Sequence, residues 1–191
     1  MNKILANRNL THLLFVILLI LVNPLNSFGC KCDSTSVENG YKKANLIVKG
    51  KILKVEMVNT LETINVDSIA SLQTLIGDNE RLSRYLEGYS LYKVTLEVSK
   101  IFKGEYLGKQ LTIYTSLTSS ACGIRFRERE ETIIYTTKES NMMYFMYGDY
   151  VDRLRLMKKE NTYWTDRCKR LVSDVAQETK LLNSHIMALK N

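Results

Sequence analysis

The stretch Tyr89–Phe102, with the sequence YSLYKVTLEVSKIF, has the clearest strand pattern in the chain. Its apolar and polar side chains alternate, with Tyr92, Val94, Leu96 and Val98 apolar and Lys93, Thr95, Glu97 and Ser99 polar. Because successive side chains of a strand point to opposite faces, this pattern predicts one buried and one solvated face. Lys103-Gly104 begins a turn, and Lys109–Thr115 predicts the next strand of an antiparallel meander.

The residues before this strand predict an irregular segment, a long first strand and an insertion. Asp33–Gly40 is polar and is expected to be irregular, whereas Ala44–Met57 is rich in Leu, Ile and Val. Gly50 lies in the middle of that strand, where a glycine indicates a bulge or a sharp bend. In the segment 58–88 apolar residues recur at helical spacing, which predicts one or two short helices inserted after the first strand.

Downstream of the meander, the chain predicts three more strands and a closing helix. The strands are expected at Glu131–Thr137, at Met142–Tyr147 and around Arg153–Met157. The helix is expected at 169–190, where one apolar face is formed by Leu171, Val175, Leu182, Ile186 and Leu189. These elements predict a mainly β protein with flanking helices, namely an OB-like antiparallel Greek-key barrel, although periodicity alone does not separate a barrel from a sandwich.

Residues 1–29 have the parts of a secretory signal peptide. Lys3 and Arg8 give a positive start, and an apolar run of about ten residues follows, which is too short to span a bilayer as a helix. Ser27 and Gly29 supply the small residues that precede a cleavage site. We therefore expect the mature chain to be residues 30–191 and to be secreted, extracellular or periplasmic.

A bacterial lipoprotein signal is the alternative interpretation of this leader, because Gly29 directly precedes Cys30. In that case Cys30 would carry lipid, and the protein would be a surface lipoprotein. The membrane is an expected partner only under this alternative, since an acylated cysteine has neither a free amine nor a thiol.

Composition favours a globular protein that is not a nucleic-acid binder and not an enzyme. Of 191 residues, 45% are hydrophobic and 25% charged, which suits one or two domains. Loss of the leader lowers the formal net charge from +7 to +5, and no dense Lys/Arg block indicates a nucleic-acid partner. The mature chain has a single histidine, His185, and no glycine-rich phosphate loop, so neither catalysis nor a cofactor is expected.

All four cysteines, Cys30, Cys32, Cys122 and Cys168, lie in the mature chain. An even number in an exported protein predicts two disulfides, and a zinc site is disfavoured because Cys-x-Cys is tighter than the usual ligand spacing. A bond between Cys30 and Cys32 would close a strained ring. The two remaining pairings stay open, and both tie the N-terminal segment to two distant points. Either one would fix a terminus that normally frays.

Four short segments carry a family resemblance: Cys30-Lys31-Cys32 at the mature start, LIVKGK at 46–51, Ser120-Ala121-Cys122-Gly123, and WTDRC at 164–168. Together they resemble the N-terminal, netrin-like domain of the tissue inhibitors of metalloproteinases, which is an OB-fold domain. The resemblance covers residues 30 to about 170, apart from the insertion at 58–88.

The resemblance implies a pairing of Cys30 with Cys122 and of Cys32 with Cys168. It also implies that the partner is a zinc metalloproteinase, whose catalytic zinc is chelated by the backbone amine and carbonyl oxygen of Cys30. Lys31 would point into the specificity pocket of the protease, and Ser120 and Ala121 would line adjacent subsites. The alternative is a non-inhibitory binding module on the same barrel, either secreted or lipid-anchored.

Overall fold

The structure is a computed structural model that describes residue 32, residues 35–68, 90–117, 122–139 and 159–190, and the single residues 70, 71, 74 and 88. The leader, most of the predicted insertion and the predicted strands at Met142–Tyr147 and Arg153–Met157 lie outside the described residues, so they stay predictions. Within the described residues, no helix has the length and apolar character that crossing a membrane requires.

The described strands form one five-stranded sheet in the order β4-β1-β2-β3-β5. Their bounds are β1 Leu46–Asn59, β2 Ser90–Lys103, β3 Gln110–Ser116, β4 Glu131–Thr136 and β5 Tyr163–Trp164. The expected antiparallel pairing is confirmed for β1 with β2 and for β2 with β3, and β4 pairs antiparallel with β1. The sheet is nevertheless mixed, because β5 pairs in parallel with β3.

Irregular pairing along β1 accompanies the curl of the sheet into a half-barrel. The register between β1 and β2 shifts between Lys49 and Gly50, as the glycine predicted, and again between Ile52 and Lys54. A Cβ atom at Gly50 would lie 2.2 Å from the carbonyl oxygen of Glu97, so the two strands approach too closely for any side chain there. Such bulges bend and twist a strand, which is how a flat ribbon curls.

One face of the sheet carries the main apolar core. Val48 and Ile52 of β1, Val94 and Leu96 of β2, and Ile113 of β3 are fully buried there. Burial of each such side chain contributes about 1.5–3 kcal/mol relative to exposure. The alternation in β2 thus has the predicted consequence that one of its faces is buried.

Two helices pack on the opposite face, around Ile47, Phe102, Tyr135 and Leu182. Helix α1 is Val37–Lys43 and helix α2 is Val175–Ala188. Two short 3-10 turns, Thr60–Thr63 and Val66–Ser68, are the continuous helical segments described between β1 and β2.

The prediction of an irregular segment at 33–40 was wrong for residues 37–40, because α1 begins at Val37. The side chain of Ser36 accepts a hydrogen bond from the backbone N–H of Asn39, which caps the first turn. Val37 and Tyr41, four residues apart, then face the core together.

The predicted start of the closing helix at 169 was also wrong. Residues 166–169 form a turn instead, in which the Asp166 carboxylate accepts the backbone N–H groups of Cys168 and Lys169. Helix α2 begins only after Asp174, whose side chain accepts from the N–H groups of Ala176 and Gln177.

Candidate functional site

Three cysteines from distant parts of the chain meet at one corner of the fold, and we call Cys32, Cys122 and Cys168 the cysteine cluster. Cys32 and Cys168 form a disulfide with an S–S distance of 1.94 Å across 136 residues of sequence. The sulfur of Cys122 lies 3.6 Å from that of Cys168 and 4.0 Å from that of Cys32. The cluster therefore joins the start of the described chain to the segments that follow β3 and β5.

Hydrogen bonds position the residue-122 segment against the residue-168 segment. Arg167 donates its backbone N–H to the Cys122 carbonyl at 2.8 Å and its Nε–H to the Gly123 carbonyl at 3.1 Å. Ile124 donates its N–H to the Thr115 hydroxyl at 3.1 Å, which fastens the same segment to the end of β3. Cys122 itself has a positive φ of 61°, a conformation that residues other than glycine seldom adopt.

Thr35 connects the N-terminal segment to the same corner. Its hydroxyl donates to the Cys168 carbonyl at 3.4 Å, and its own carbonyl accepts from Nη1 of Arg170 at 2.6 Å. The chain on the C-terminal side of Cys32 is thus held by polar contacts as well as by the disulfide.

Arg170 is fixed in turn by Glu178, a buried residue of α2. Its Nε and Nη2 donate to the two carboxylate oxygens at 2.5 and 2.8 Å, and the Tyr135 hydroxyl donates to the same carboxylate. Hydrogen bonding to Glu178 raises the pKa of Arg170, and burial, followed by the Glu178 contact, raises the pKa of Tyr135. The cysteine cluster is therefore connected to β4 and to α2 through a paired, buried charge.

A cleft of about 390 Å³ opens beside the cluster between α1, β4 and the disulfide. Its lining consists of Thr35, Gly40, Lys43, Ala44, Tyr135, Thr137, Cys168 and Lys169. Because Cys168 is part of this lining, the disulfide borders the cleft on this side.

The structure describes three of the predicted site residues and brings all three together. Cys30, Lys31, Ser120 and Ala121 lie outside the described residues, so their predicted roles stay predictions. The Cys32–Cys168 bond is the pairing that the resemblance implied. Cys122 is also disulfide-bonded, and the described cysteines include no free thiol. Since Cys30 is not described, its pairing with Cys122 stays a prediction.

The polar residues that support the cluster have no signal in the sequence pattern. Thr35 and Arg170 are 135 positions apart, and no periodic pattern relates residues at such a separation. Arg167, inside the WTDRC segment that contributes to the family resemblance, makes the two hydrogen bonds to the residue-122 segment, a role that the sequence pattern did not predict.

The cysteine cluster is also the one group of described residues with metal-ligand spacing, since its three sulfurs lie within 4.8 Å of one another. A metal binds the thiolate form of cysteine, which a disulfide lacks. In its oxidised form the cluster is therefore an anchor for the chain and not a metal site.

No protein-family model matches the chain, and no curated protein matches it.

Proposed function

We propose that the chain is an exported inhibitor of a zinc metalloproteinase that acts through Cys30, the first residue left after cleavage of the leader. The observation that carries the proposal is the cysteine cluster, in which Cys32 is bonded to Cys168 with the Cys122 sulfur 4.0 Å away. Disulfides persist in oxidising compartments, which is consistent with export.

Anchoring at Cys32 restricts where the new terminus lies. An extended chain spans about 3.3–3.6 Å per residue, so the Cys30 amine stays within roughly 7 Å of the Cys32 backbone. Thr35, held by Cys168 and Arg170, fixes the other side of Cys32. A terminus restricted in this way loses less conformational entropy on binding, which favours affinity.

The proposed chemistry is chelation by the backbone of Cys30. Catalytic zinc keeps one coordination position for water or substrate and can expand from four to five ligands, so a neutral amine nitrogen and a carbonyl oxygen could bind it together in place of the water. An α-amine with a pKa of about 8 is partly neutral at pH 7, and coordination favours the neutral form. Displacement of the water removes the nucleophile of the protease, which is the basis of inhibition.

The neighbouring residues supply specificity in this proposal. Lys31 directly precedes Cys32 in the sequence, and Ala121 directly precedes Cys122. Lys31 enters the specificity pocket of the protease, and Ser120 and Ala121 line the adjacent subsites. The proposal also takes the curled sheet to be part of an OB-like Greek-key barrel, with which the bulged β1 and the β1–β2–β3 meander are compatible.

The test compares native and extended termini of the exported, processed protein. Intact mass first establishes that the chain starts at Cys30 without an acyl group, and a panel of zinc metalloproteases is then assayed. One alanine inserted before Cys30 displaces the amine, and we expect it to weaken inhibition by about 100-fold or more. The matched control inserts one alanine after Leu107, a fully exposed residue between β2 and β3, and retains inhibition.

Three outcomes would contradict the proposal. They are equal inhibition by native and extended forms, no inhibition of any protease in the panel, and an acyl increment on Cys30. The last would favour the lipid-anchored binding module instead.

A further inference from the structure

The sulfur positions of the cysteine cluster have the dimensions of a metal-thiolate site. In tetrahedral zinc sites the Zn–S distance is about 2.3 Å, which sets neighbouring sulfurs about 3.8 Å apart. The Cys122 sulfur lies 3.6 Å from that of Cys168 and 4.0 Å from that of Cys32. Two of the three sulfur–sulfur distances are thus already close to those of a zinc site. Only the sulfurs of Cys32 and Cys168, which are bonded to each other, must move apart.

Non-covalent contacts hold the cluster together independently of the disulfides. The two hydrogen bonds from Arg167 join the residue-122 and residue-168 segments at 2.8 and 3.1 Å. Thr35, which follows Cys32 closely, is joined to Arg170 at 2.6 Å, and Arg170 is paired with Glu178. Reduction breaks the S–S bonds but leaves these contacts, so we expect the three sulfur atoms to stay close to one another.

The local charge also favours thiolates. The Arg167 guanidinium donates to the neutral Gly123 carbonyl, so that contact brings a positive charge beside the cluster without adding a negative one. Nearby cations lower the pKa of a cysteine thiol and stabilise the thiolate that binds metal. Three thiolates around Zn²⁺ carry one net negative charge, which Arg167 offsets. Lys169 does not take this role because its ammonium is paired with Asp166 at 2.9 Å.

We propose that the reduced chain, the form in which it is synthesised, binds one Zn²⁺ through the thiolates of Cys32, Cys122 and Cys168. Each disulfide takes two electrons from a thiol or phosphine reductant and two protons, which come from the thiol reductant or, with a phosphine, from water as the phosphine becomes its oxide. The products are two thiols. Zinc then replaces three thiol protons, which are released to water. Thiol–disulfide exchange with a disulfide oxidant, which takes the two electrons and two protons of each new S–S bond and leaves as two thiols, releases the metal. The inference concerns the form that precedes disulfide formation and does not depend on the proposed inhibition.

The experiment titrates the full-length chain with metal after reduction by a phosphine and removal of the reductant under argon. We expect Co²⁺ to give a near-ultraviolet sulfur-to-metal absorption that saturates at one equivalent and disappears when Zn²⁺ displaces the cobalt. We also expect Zn²⁺ to raise the thermal unfolding midpoint of the reduced chain, because a ligand that binds the folded state stabilises it. The oxidised chain is the matched control and gives no such absorption.

The substitution Cys122→Ser removes one of the three ligands while leaving Cys32 and Cys168, and should weaken zinc binding by about 100-fold. Unchanged affinity of this variant would overturn the proposal, as would a reduced chain that gives no cobalt absorption. If zinc binds the unsubstituted chain but does not raise its unfolding midpoint, the metal is bound to cysteines of the unfolded chain. That result would also overturn the proposal. The midpoint needs no variant, so it decides the matter even if Cys122→Ser fails to fold.

Discussion

The two ends of the sheet contain the same three chemical groups in different surroundings. At the helix-covered end, Tyr135 and Arg170 contact Glu178, whose side chain is 5% exposed. At the other end, which we call the open end because its charged side chains are partly exposed, the charge of Glu62 acts on Tyr114. The Glu62 side chain is 38% exposed and pairs with Lys93 and Lys159 at 2.9 and 3.6 Å. A tyrosine, a carboxylate and a cation thus recur; both tyrosines are buried, but the ion pair is buried at one end and partly exposed at the other.

The difference in burial changes what each group of residues contributes to the fold. A buried ion pair is costly to break, because the charge that remains has lost its water and its partner. An exposed pair is screened, and water replaces whichever partner is lost. The helix-covered end, which supports the cysteine cluster, should therefore be far more sensitive to substitution than the open end.

Arg170→Ala should have the largest effect. It leaves the Glu178 carboxylate buried without its bidentate partner and frees the Thr35 carbonyl, so we expect the oxidised protein to lose about 3–5 kcal/mol of unfolding free energy. Urea denaturation monitored by fluorescence measures this loss. Lys180→Ala, on an exposed part of the same helix, is the control and should change stability by about 0.5 kcal/mol or less. An equal effect of the two substitutions would show that the buried pair is no more important than the surface.

The elements with a local signal were predictable from the sequence. The alternation of Val94 and Leu96 predicted β2, and Gly50 predicted the irregularity in β1, because both depend on side chains that are adjacent in sequence. Helix α1 was missed, since its seven residues include only Val37 and Tyr41 as large contacts with the core and its start depends on the small side chain of Ser36.

Helical periodicity also assigned to the buried face two residues that are in fact exposed. Leu182 of the predicted apolar stripe is fully buried, but Leu171 precedes α2 and is 54% exposed, and Leu189 lies at the helix end and is 61% exposed. For the site, the cysteine pattern predicted which segments meet. The partnership of Arg170 with Thr35 could not be predicted, because it depends on the folded path of the chain.

The second-largest expected effect on stability involves Tyr114 at the open end and occurs only at alkaline pH. Burial, with a further contribution from the charge of Glu62, raises the pKa of Tyr114 to about 12. In the unfolded chain a tyrosine ionises near its ordinary value of about 10, so between pH 10 and 12 the unfolded state binds fewer protons. The contribution of Tyr114 to stability is therefore complete below pH 10 and decreases as the pH rises towards 12.

Unfolding free energies measured from pH 9 to pH 12 test this expectation against Tyr114→Phe. The variant should lose stability less steeply over the interval, while the other tyrosines act equally in both proteins. Identical slopes would mean that Tyr114 ionises as readily in the folded protein as in the unfolded chain.

Glu62→Gln should have the smallest effect on stability, although it is the sharpest test of how the open end differs. The contact with Lys93 lowers the pKa of Glu62, so its contribution is present above the ordinary value of 4.5 and is lost as the pH falls through the folded value. Because Glu62, Lys93 and Lys159 are all partly exposed, we expect a loss of only about 0.2–1 kcal/mol at pH 7. The difference in stability between the variant and the original should shrink as the pH falls below 4.5.

The same substitution should lower the pKa of Tyr114, since one of the two causes of its rise is the charge of Glu62. Burial is the larger cause and is unchanged in the variant, so the pKa should stay above the ordinary value of 10. Ultraviolet titration of the phenol, with Tyr114→Phe as the blank, measures this shift. A Tyr114 pKa that does not move would mean that solvent screens Glu62 completely. The charge of Glu62 would then have no effect on Tyr114 at the open end, whereas the charge of Glu178 does raise the pKa of Tyr135 at the helix-covered end.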